Sequence, residues 1–332
     1  MRNIARETQI RKPFGKTDSS IGLQPAVWIS SRRSIAPREP VKGADREVEI
    51  RTYHSWAHFR ELIPAWEGIL RENGALSIFS TPEWLGSWWD AFGTNRQLIA
   101  LTFWDADGEL LGLAPLYLDE SRLSPFNKKK CLRLVGDGSG DSDNLDLILR
   151  PGFEVVCCQA FLRWLVDHPR WDVCCLNTMP ENSMGARVLS RQLTASKWTL
   201  SHTASPNGAL SLPSSWESYV ESLGCDFRPL VTRYPHRLTK RFQERVYRCE
   251  DASQLSTGLD VLFSLHQKRW NQAGEPGSFA SLERRDFYER IQTQSVILGK
   301  VIRGAMNLKS DYDSLINGFH ELESRTLRAQ FY

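Results

Sequence analysis

Hydrophobic positions between residues 48 and 204 follow two different periods, which alternate in blocks along the chain. Within Trp56–Glu72 apolar side chains recur three or four residues apart, and Ser55 just before them is a typical helix N-cap. The segments Leu98–Trp104 and Leu110–Leu118 are apolar almost throughout, and an Asp-Gly turn at 105–108 joins them, which predicts a β-hairpin. The blocks together predict a sheet with helices packed on it.

The predicted elements of this region follow the order β-α-α-β-β-β-β-α-β-α-β. The strands are Val48–Tyr53, Leu98–Trp104, Leu110–Leu118, Leu132–Val135, Leu145–Leu149, Trp171–Asn177 and Trp198–Ala204; the helices are Trp56–Glu72, Glu83–Phe92, Phe153–Val166 and Ser183–Ala195. Thr81 and Pro82 suit the cap and the first position of the second helix. The order predicts one mixed-sheet α/β domain of ordinary size, with Val156, Phe161, Leu165 and Val173 buried.

The segment Leu132–Leu149 has apolar ends that enclose a loop of Gly, Asp, Ser and Asn at 136–144. Two interpretations stay open for this acid loop. Its Asp137, Asp141 and Asp143 are suitable for positioning an amine or a metal ion, or they fill turns through local hydrogen bonds. The closing Glu and the helix of an EF-hand are absent, and we predict no metal.

Helical patterns continue beyond residue 205, after a short predicted strand at Ala209–Leu212. Predicted helices cover Trp216–Leu223, His236–Tyr247, Leu259–Trp270 and Arg284–Leu298, and Cys225–Pro235 is predicted to be irregular. A basic stretch at Lys128–Lys130 is predicted to be a loop. After Lys300 the pattern fades, although Tyr312–Leu327 is compatible with a helix.

Two sets of side chains in this second half are candidates for ligand binding or catalysis. Arg237, Arg241 and Arg245 recur one helical turn apart, so they form either a phosphate-binding stripe or a solvated face. His266, beside Lys268 and Arg269, is either a structural histidine or a general base.

Charge and composition narrow the function classes. The formal net charge is +3, but residues 1–46 hold ten Lys/Arg and four Asp/Glu, so the remainder carries −3, which argues against a nucleic-acid partner. We predict that this basic tail is mostly disordered. No apolar run suits a transmembrane segment or a signal peptide, which predicts a cytoplasmic protein. The seven cysteines show no zinc spacing and are predicted to be reduced core residues.

Several phrases resemble one bacterial family. They are Ser80–Trp89 (STPEWLGSWW), Gly112–Tyr117 (GLAPLY), the segment Leu134–Asp146, and Leu265–Trp270 (LHQKRW) followed by Gly277–Ala280 (GSFA). In this order they resemble the CelD-like, cellulose-biosynthesis-associated branch of the GNAT acyltransferases over about residues 47–299. The resemblance implies two GNAT-like domains in tandem: a first at 47–205, the start of a second at 206–300, and a divergent or truncated tail at 301–332.

The resemblance implies acyl transfer from acyl-CoA to an amine or hydroxyl of a small-molecule or polysaccharide-precursor acceptor. Asp143 and His266 are the candidate catalytic residues, and Arg237, Arg241, Arg245, Arg269 and Trp270 are candidates for contacting substrate or phosphate. Two other functions stay open: a non-enzymatic GNAT-like scaffold or remnant that binds a partner through Trp-rich surfaces, and an aminoacyl-tRNA-dependent transferase similar to the Fem enzymes.

The sequence departs from the family where a GNAT domain holds the CoA pyrophosphate, at the turn from a strand into a helix. This turn is Arg150-Pro-Gly-Phe-Glu154, in which Pro151 lacks an N–H donor and Glu154 would repel phosphate. The match also fades before the second domain's own turn. We therefore predict that this chain is a poor catalyst or none, and that an incomplete sheet leaves an unpaired strand edge near Val296–Ile302.

Overall fold

A computed structural model describes residues 26–30, 47–74, 77–124, 127–168, 170–194, 199–202, 213–241 and 252–305. They form a mixed α/β structure around a mixed sheet. The strands are β1 (Ala26–Ser30), β2 (Glu49–Tyr53), β3 (Gln97–Trp104), β4 (Leu110–Ser124), β5 (Asn127–Leu134), β6 (Ile148–Leu149), β7 (Val173–Asn177) and β8 (Thr199–His202).

The strand order in the sheet is β2-β3-β4-β5-β7-β1-β8, and β6 pairs with β4 outside this path. Strands β2 to β5 form an antiparallel meander, in which Leu101 of β3 lies opposite Ala114 of β4. Strand β7 then pairs parallel with β5, with Leu132 opposite Cys174. A parallel neighbour needs a crossover connection, and the segment between β5 and β7 contains a helix, as that geometry requires.

The helices are numbered in their order along the chain. They are α1 (Trp56–Phe59), α2 (Ile63–Glu72), α3 (Pro82–Phe92), α4 (Glu154–Asp167), α5 (Met184–Thr194), α6 (Trp216–Ser222), α7 (Arg228–Arg241), α8 (Ala252–Gln272) and α9 (Leu282–Ala305). Short 3₁₀ turns lie at Arg60–Leu62, Ile78–Ser80 and Ser278–Ala280. None of these described helices combines the length and the apolar content needed to cross a bilayer.

One large core joins the sheet to the first helices and to α9. Phe59, Trp66 and Trp88 are fully or almost fully buried in it, together with the hairpin strands. Phe287 of α9 is fully buried in the same core, where its ring meets the edge of Trp84 of α3 at a centroid distance of 5.1 Å. Helix α9 is therefore packed on the sheet domain although it lies far along the chain.

The structure confirms the predicted element order from residue 48 to 202 and the hairpin inside the sheet. The cap predicted at Thr81 is present, because its hydroxyl accepts a hydrogen bond from the Trp84 N–H at 3.3 Å. Phe161, Leu165 and Val173 are buried as predicted, whereas Val156 is half-buried. Of the six cysteines in the described ranges, five are buried and Cys225 is exposed.

Three local predictions are wrong in this region, and part of the tail that was predicted to be disordered is a strand. Residues 26–30 of the tail form β1 between β7 and β8, because those strands offer free edges for pairing. The basic stretch Lys128–Lys130 lies in β5, paired with a β4 that extends beyond Leu118. Only Ile148–Leu149 of the predicted strand 145–149 is a strand. The helix over 56–72 is interrupted by a 3₁₀ turn before Pro64, and the Ser55 side chain makes no capping bond.

Two predictions for the second half are also wrong. The segment Cys225–Pro235, predicted to be irregular, is helical from Arg228, and the helix continues through Pro235. Pro229 is tolerated because it occupies the first turn of the helix, where a missing N–H has no cost. Val296–Ile302 lies within α9, so it is not a strand edge. The predictions for Ala209–Leu212, Arg245 and Tyr312–Leu327 fall outside the described residues.

Candidate functional site

The acid loop, residues 136–144, leaves the carboxyl end of β5 and is held against α3 by two indole groups. Trp84 Nε1 donates to the Ser142 hydroxyl and Trp88 Nε1 donates to the Ser139 hydroxyl, both at 2.9 Å. Gly136 has a φ of +103°, and a Cβ there would lie 2.9 Å from Leu145 Cδ2. A side chain at Gly136 would therefore be strained in both backbone and packing.

Asp137, at the start of this loop, is buried and paired. Its Oδ2 accepts from Arg133 Nη1 at 2.9 Å and from Asn177 Nδ2 at 2.8 Å, and its backbone carbonyl accepts from the Tyr117 hydroxyl at 3.0 Å. Burial, followed by the Asp137 charge, raises the pKa of Tyr117 well above its usual range. The pKa of Arg133 is also raised, because the adjacent carboxylate outweighs the opposing effect of burial. Asp137 and Arg133 therefore form an ion pair without net charge, and Asn177 and Tyr117 donate further hydrogen bonds to Asp137.

Asp141 connects the acid loop to α9. Its Oδ2 accepts from Arg284 Nε at 3.0 Å, its Oδ1 accepts from the Tyr288 hydroxyl at 3.3 Å, and Arg284 also donates to the Ser139 carbonyl. Burial, together with the charge of Asp141, raises the pKa of Tyr288 to about 12. Helix α9 thus supplies the cation that neutralises this carboxylate.

Asp146 lies between the loop and the start of α5. Its Oδ1 accepts from the Leu147 N–H at 2.7 Å, and Ser183 also hydrogen-bonds to its carboxyl group. Burial raises the pKa of Asp146 from 3.8 to about 6, and these hydrogen bonds oppose that rise. Gly185 leaves the space that the carboxylate occupies, because a Cβ there would overlap it.

The turn from β6 into α4 is closed by its own side chains. The Gly152 N–H donates to Glu154 Oε2 at 2.8 Å, and the Phe153 N–H donates to the Arg150 carbonyl at 3.1 Å. Arg150 forms ion pairs with Glu72 at 3.0 Å and Glu109 at 2.9 Å. Since Pro151 has no N–H, the turn offers little to a phosphate, and a carboxylate already occupies the place of an anion.

Two polar atoms at the carboxyl end of β7 lack a hydrogen-bond partner among the described residues. They are Asn177 Oδ1 and Thr178 Oγ1, both inaccessible to solvent. Asn177 is 8% exposed, and Thr178 has a φ of +58°, which is unusual for a β-branched residue. Ligands in α/β proteins bind outside the carboxyl ends of parallel strands, where these two residues and Asp137 lie.

The structure does not bring together the two predicted catalytic residues. Asp143 is exposed and makes no hydrogen bond or ion pair with the rest of the described chain. His266 lies on α8 with its ring against Phe279 at 4.8 Å and Trp270 at 5.9 Å, and its contacts within the described residues do not reach the acid loop. Packing of the His266 ring against aromatic rings is the arrangement expected of a structural histidine.

The predicted basic residues lie apart from the acid loop. Arg237 and Arg241 are exposed on α7, and Arg245 lies outside the described residues. Arg269 is exposed on α8 with its guanidinium carbon 5.8 Å from the centroid of the Trp270 ring, and Trp270 is 38% exposed. Within the described ranges no group of three or more His, Cys, Asp or Glu side chains is placed to hold a metal ion.

Sequence reasoning missed Arg133, Asn177 and Arg284, the partners of the loop carboxylates. For Asn177 the available signal was the end of β7, where a polar residue follows an apolar run, whereas Arg133 within β5 and Arg284 on α9 have no such signal. Comparison of the chain with protein-family models, with curated proteins and with solved structures found no match. The resemblance to the GNAT acyltransferases therefore supports a proposal and does not establish a family.

Proposed function

We propose that residues 47–202 form an acceptor-binding domain of the GNAT type, in a protein of the acyltransferase class that moves an acyl group from acyl-CoA to an amine or hydroxyl. The phrases that resemble the CelD-like family support this proposal. The antiparallel meander β2-β3-β4-β5, followed by the parallel strand β7, is compatible with it.

One observation favours an acceptor-binding role over a coenzyme-binding role for this domain: the hydrogen bond from the Gly152 N–H to Glu154 Oε2. A pyrophosphate would have to displace a carboxylate from the turn and remain beside its charge. With Pro151 removing another donor, the turn lacks the N–H groups on which a GNAT domain holds CoA. Acyl-CoA would then have to bind at another place, and this domain alone would turn over little substrate.

The ends of β5 and β7 offer what an acceptor needs. Asn177 Oδ1 is a buried hydrogen-bond acceptor without a donor among the described residues, and an amine or hydroxyl would supply one. The Asp137 carboxylate, which is paired with Arg133, accepts from Asn177 Nδ2 at 2.8 Å and so holds the Asn177 amide in one orientation. Sugars and amino sugars carry hydroxyl and amine groups, which agrees with the polysaccharide-precursor acceptor implied by the resemblance.

Saturation-transfer NMR of the full chain with glucosamine or glucose as the probe tests this acceptor role. We expect transfer to at least one sugar, and its loss in Asn177→Ala with circular dichroism unchanged. The matched control Asn271→Ala, at an exposed position on α8, should keep the signal. The absence of transfer to either sugar from the folded wild-type chain would contradict the acceptor role.

A non-enzymatic scaffold is the second candidate function. The closed turn at 150–154 favours it as much as it favours the acceptor-binding role. The separation of Asp143 and His266 adds to it, since no general base is assembled from them. Partner binding through Trp-rich surfaces has less support, because Trp56, Trp66 and Trp88 are buried in the core. Binding of neither sugar nor acetyl-CoA would favour the scaffold.

A further inference from the structure

Helix α7 carries an exposed apolar row. Phe227, just before the helix, is 64% exposed, and Leu230 and Tyr234 within it are 46% and 51% exposed. The three residues are spaced by three and four positions, so they lie along one side of the helix. Large apolar side chains in such a row are unusual on a surface that contacts only water.

A basic stripe lies beside this row. At 100° per residue, Arg241 in the last turn lies between Leu230 and Tyr234, and three further cations, Arg233, Arg237 and Lys240, fall on the sector beside Leu230. All three are exposed and form no ion pair with the described residues, and the Arg237 guanidinium carbon lies 6.0 Å from the centroid of the Tyr234 ring. Residues 228–241 contain no acidic side chain.

Helix α7 is anchored at its start, and the described part of the chain leaves this side open. The Arg228 guanidinium donates to the carbonyl oxygens of Val220, Glu221 and Leu223, which fixes α7 to the end of α6. Of the described elements, α7 packs chiefly on α6. The acidic residues nearby, Glu217, Glu221 and Asp226, precede the helix and are exposed.

We propose that Phe227 and α7 form a surface that binds an anionic lipid bilayer. An interfacial helix places its apolar side at the boundary of headgroups and acyl chains, with cations at headgroup level, and here the two stripes adjoin as that geometry requires. The absence of acidic side chains in the helix makes it complementary to a negative surface. A helix that binds nucleic-acid phosphates would need the cations but not an exposed Leu230. This surface is independent of the proposed acceptor site, since it involves neither the acid loop nor the turn at 150–154.

Vesicle flotation of the full chain tests the proposal, with phosphatidylcholine vesicles that contain or lack phosphatidylglycerol. We expect binding only to the anionic vesicles, weakening as salt is added. Each cation near an anionic surface contributes roughly a fivefold change in partitioning, so Arg233→Gln/Arg237→Gln should lose roughly 25-fold. Leu230→Ser/Tyr234→Ser should lose about tenfold or more, because burial of apolar area supplies the rest of the affinity.

Two further variants make the result specific to α7. Arg187→Gln/Arg191→Gln removes two cations from α5 and should leave binding unchanged. Arg233→Lys/Arg237→Lys keeps the charge and should keep binding, which excludes a folding defect at these positions. Absence of binding to anionic vesicles at low salt, or an equal loss in the α5 variant, would overturn the proposal. Binding to single-stranded RNA that is as strong in Leu230→Ser/Tyr234→Ser as in wild type, and that displaces the vesicles, would also overturn it.

Discussion

The acid loop at 136–144 and the turn at 150–154 flank the same short strand, β6, and they use charge differently. The loop carboxylates are neutralised by arginines from other elements, Asp137 by Arg133 of β5 and Asp141 by Arg284 of α9. In the turn, Glu154 accepts from the Gly152 N–H two residues away, while Arg150 pairs with the distant Glu72 and Glu109. The loop is therefore a junction that ties together distant parts of the chain, and the turn is closed against an anion.

An acid-rich loop is thus not necessarily a vacant site. Each loop carboxylate that points inward has a cation within 3.0 Å, whereas Asp143 is exposed. Substitutions in the loop should accordingly change the free energy of unfolding, whereas substitutions in the turn should change ligand binding.

Asp137→Ala should produce the largest loss of stability. It leaves the Arg133 guanidinium mostly buried without its carboxylate, and breaking a buried pair in this way costs about 3–5 kcal/mol. We expect the lower end of that range, because Arg133 keeps some solvent contact. Urea unfolding measures the change, and Asp143→Ala is the matched control, expected within about 0.5 kcal/mol of wild type. Equal stability of the two variants would mean that the pair is not formed.

Asp146→Asn should change how stability depends on pH. The pKa of Asp146 is raised from 3.8 to about 6, so the folded state holds a proton that the unfolded state has released between those values. The wild type should therefore lose stability as pH rises from about 4 to 6, by about 3 kcal/mol from this group at most. The free energies of unfolding of both proteins at pH 4 and pH 7 should show that the variant becomes more stable relative to wild type by about that amount at the higher pH. An unchanged difference between the two pH values would refute the raised pKa.

Ser139→Ala should have a smaller effect on the loop. It removes the oxygen that accepts from Trp88 Nε1 at 2.9 Å, and Trp88 is fully buried. A buried donor without a partner costs about 1–3 kcal/mol. Thermal unfolding should show this loss. Trp fluorescence should report a changed indole environment, and an unaltered spectrum and midpoint would place the indole hydrogen bond elsewhere.

The amino-acid sequence was sufficient to predict features that depend on neighbouring residues. The hairpin followed from two apolar runs and an Asp-Gly turn, and the closed turn at 150–154 followed in part from Pro151 and Glu154. The position of the loop between two apolar ends was also predicted correctly.

Features that depend on distant residues could not be predicted from periodicity. Asn177 reaches Asp137 across 40 residues, and Arg284 reaches Asp141 across 143. The charge of Lys128–Lys130 favours a loop when only the sequence is considered, but their strand pairs with an extension of β4. Strand β1 is a short apolar run, AVWIS, within a basic tail, and its pairing with β7 and β8 brings it into the sheet.

Isothermal titration of acetyl-CoA into the wild-type chain and into Glu154→Gln tests whether the turn at 150–154 is a coenzyme site. The substitution removes the carboxylate beside Gly152 and its charge with little change in shape. We predict the same isotherm for both proteins, whether flat or reporting a site elsewhere in the chain. Micromolar binding with a stoichiometry near one, and an affinity that rises tenfold or more in Glu154→Gln, would place the pyrophosphate at this turn and contradict its closure against an anion.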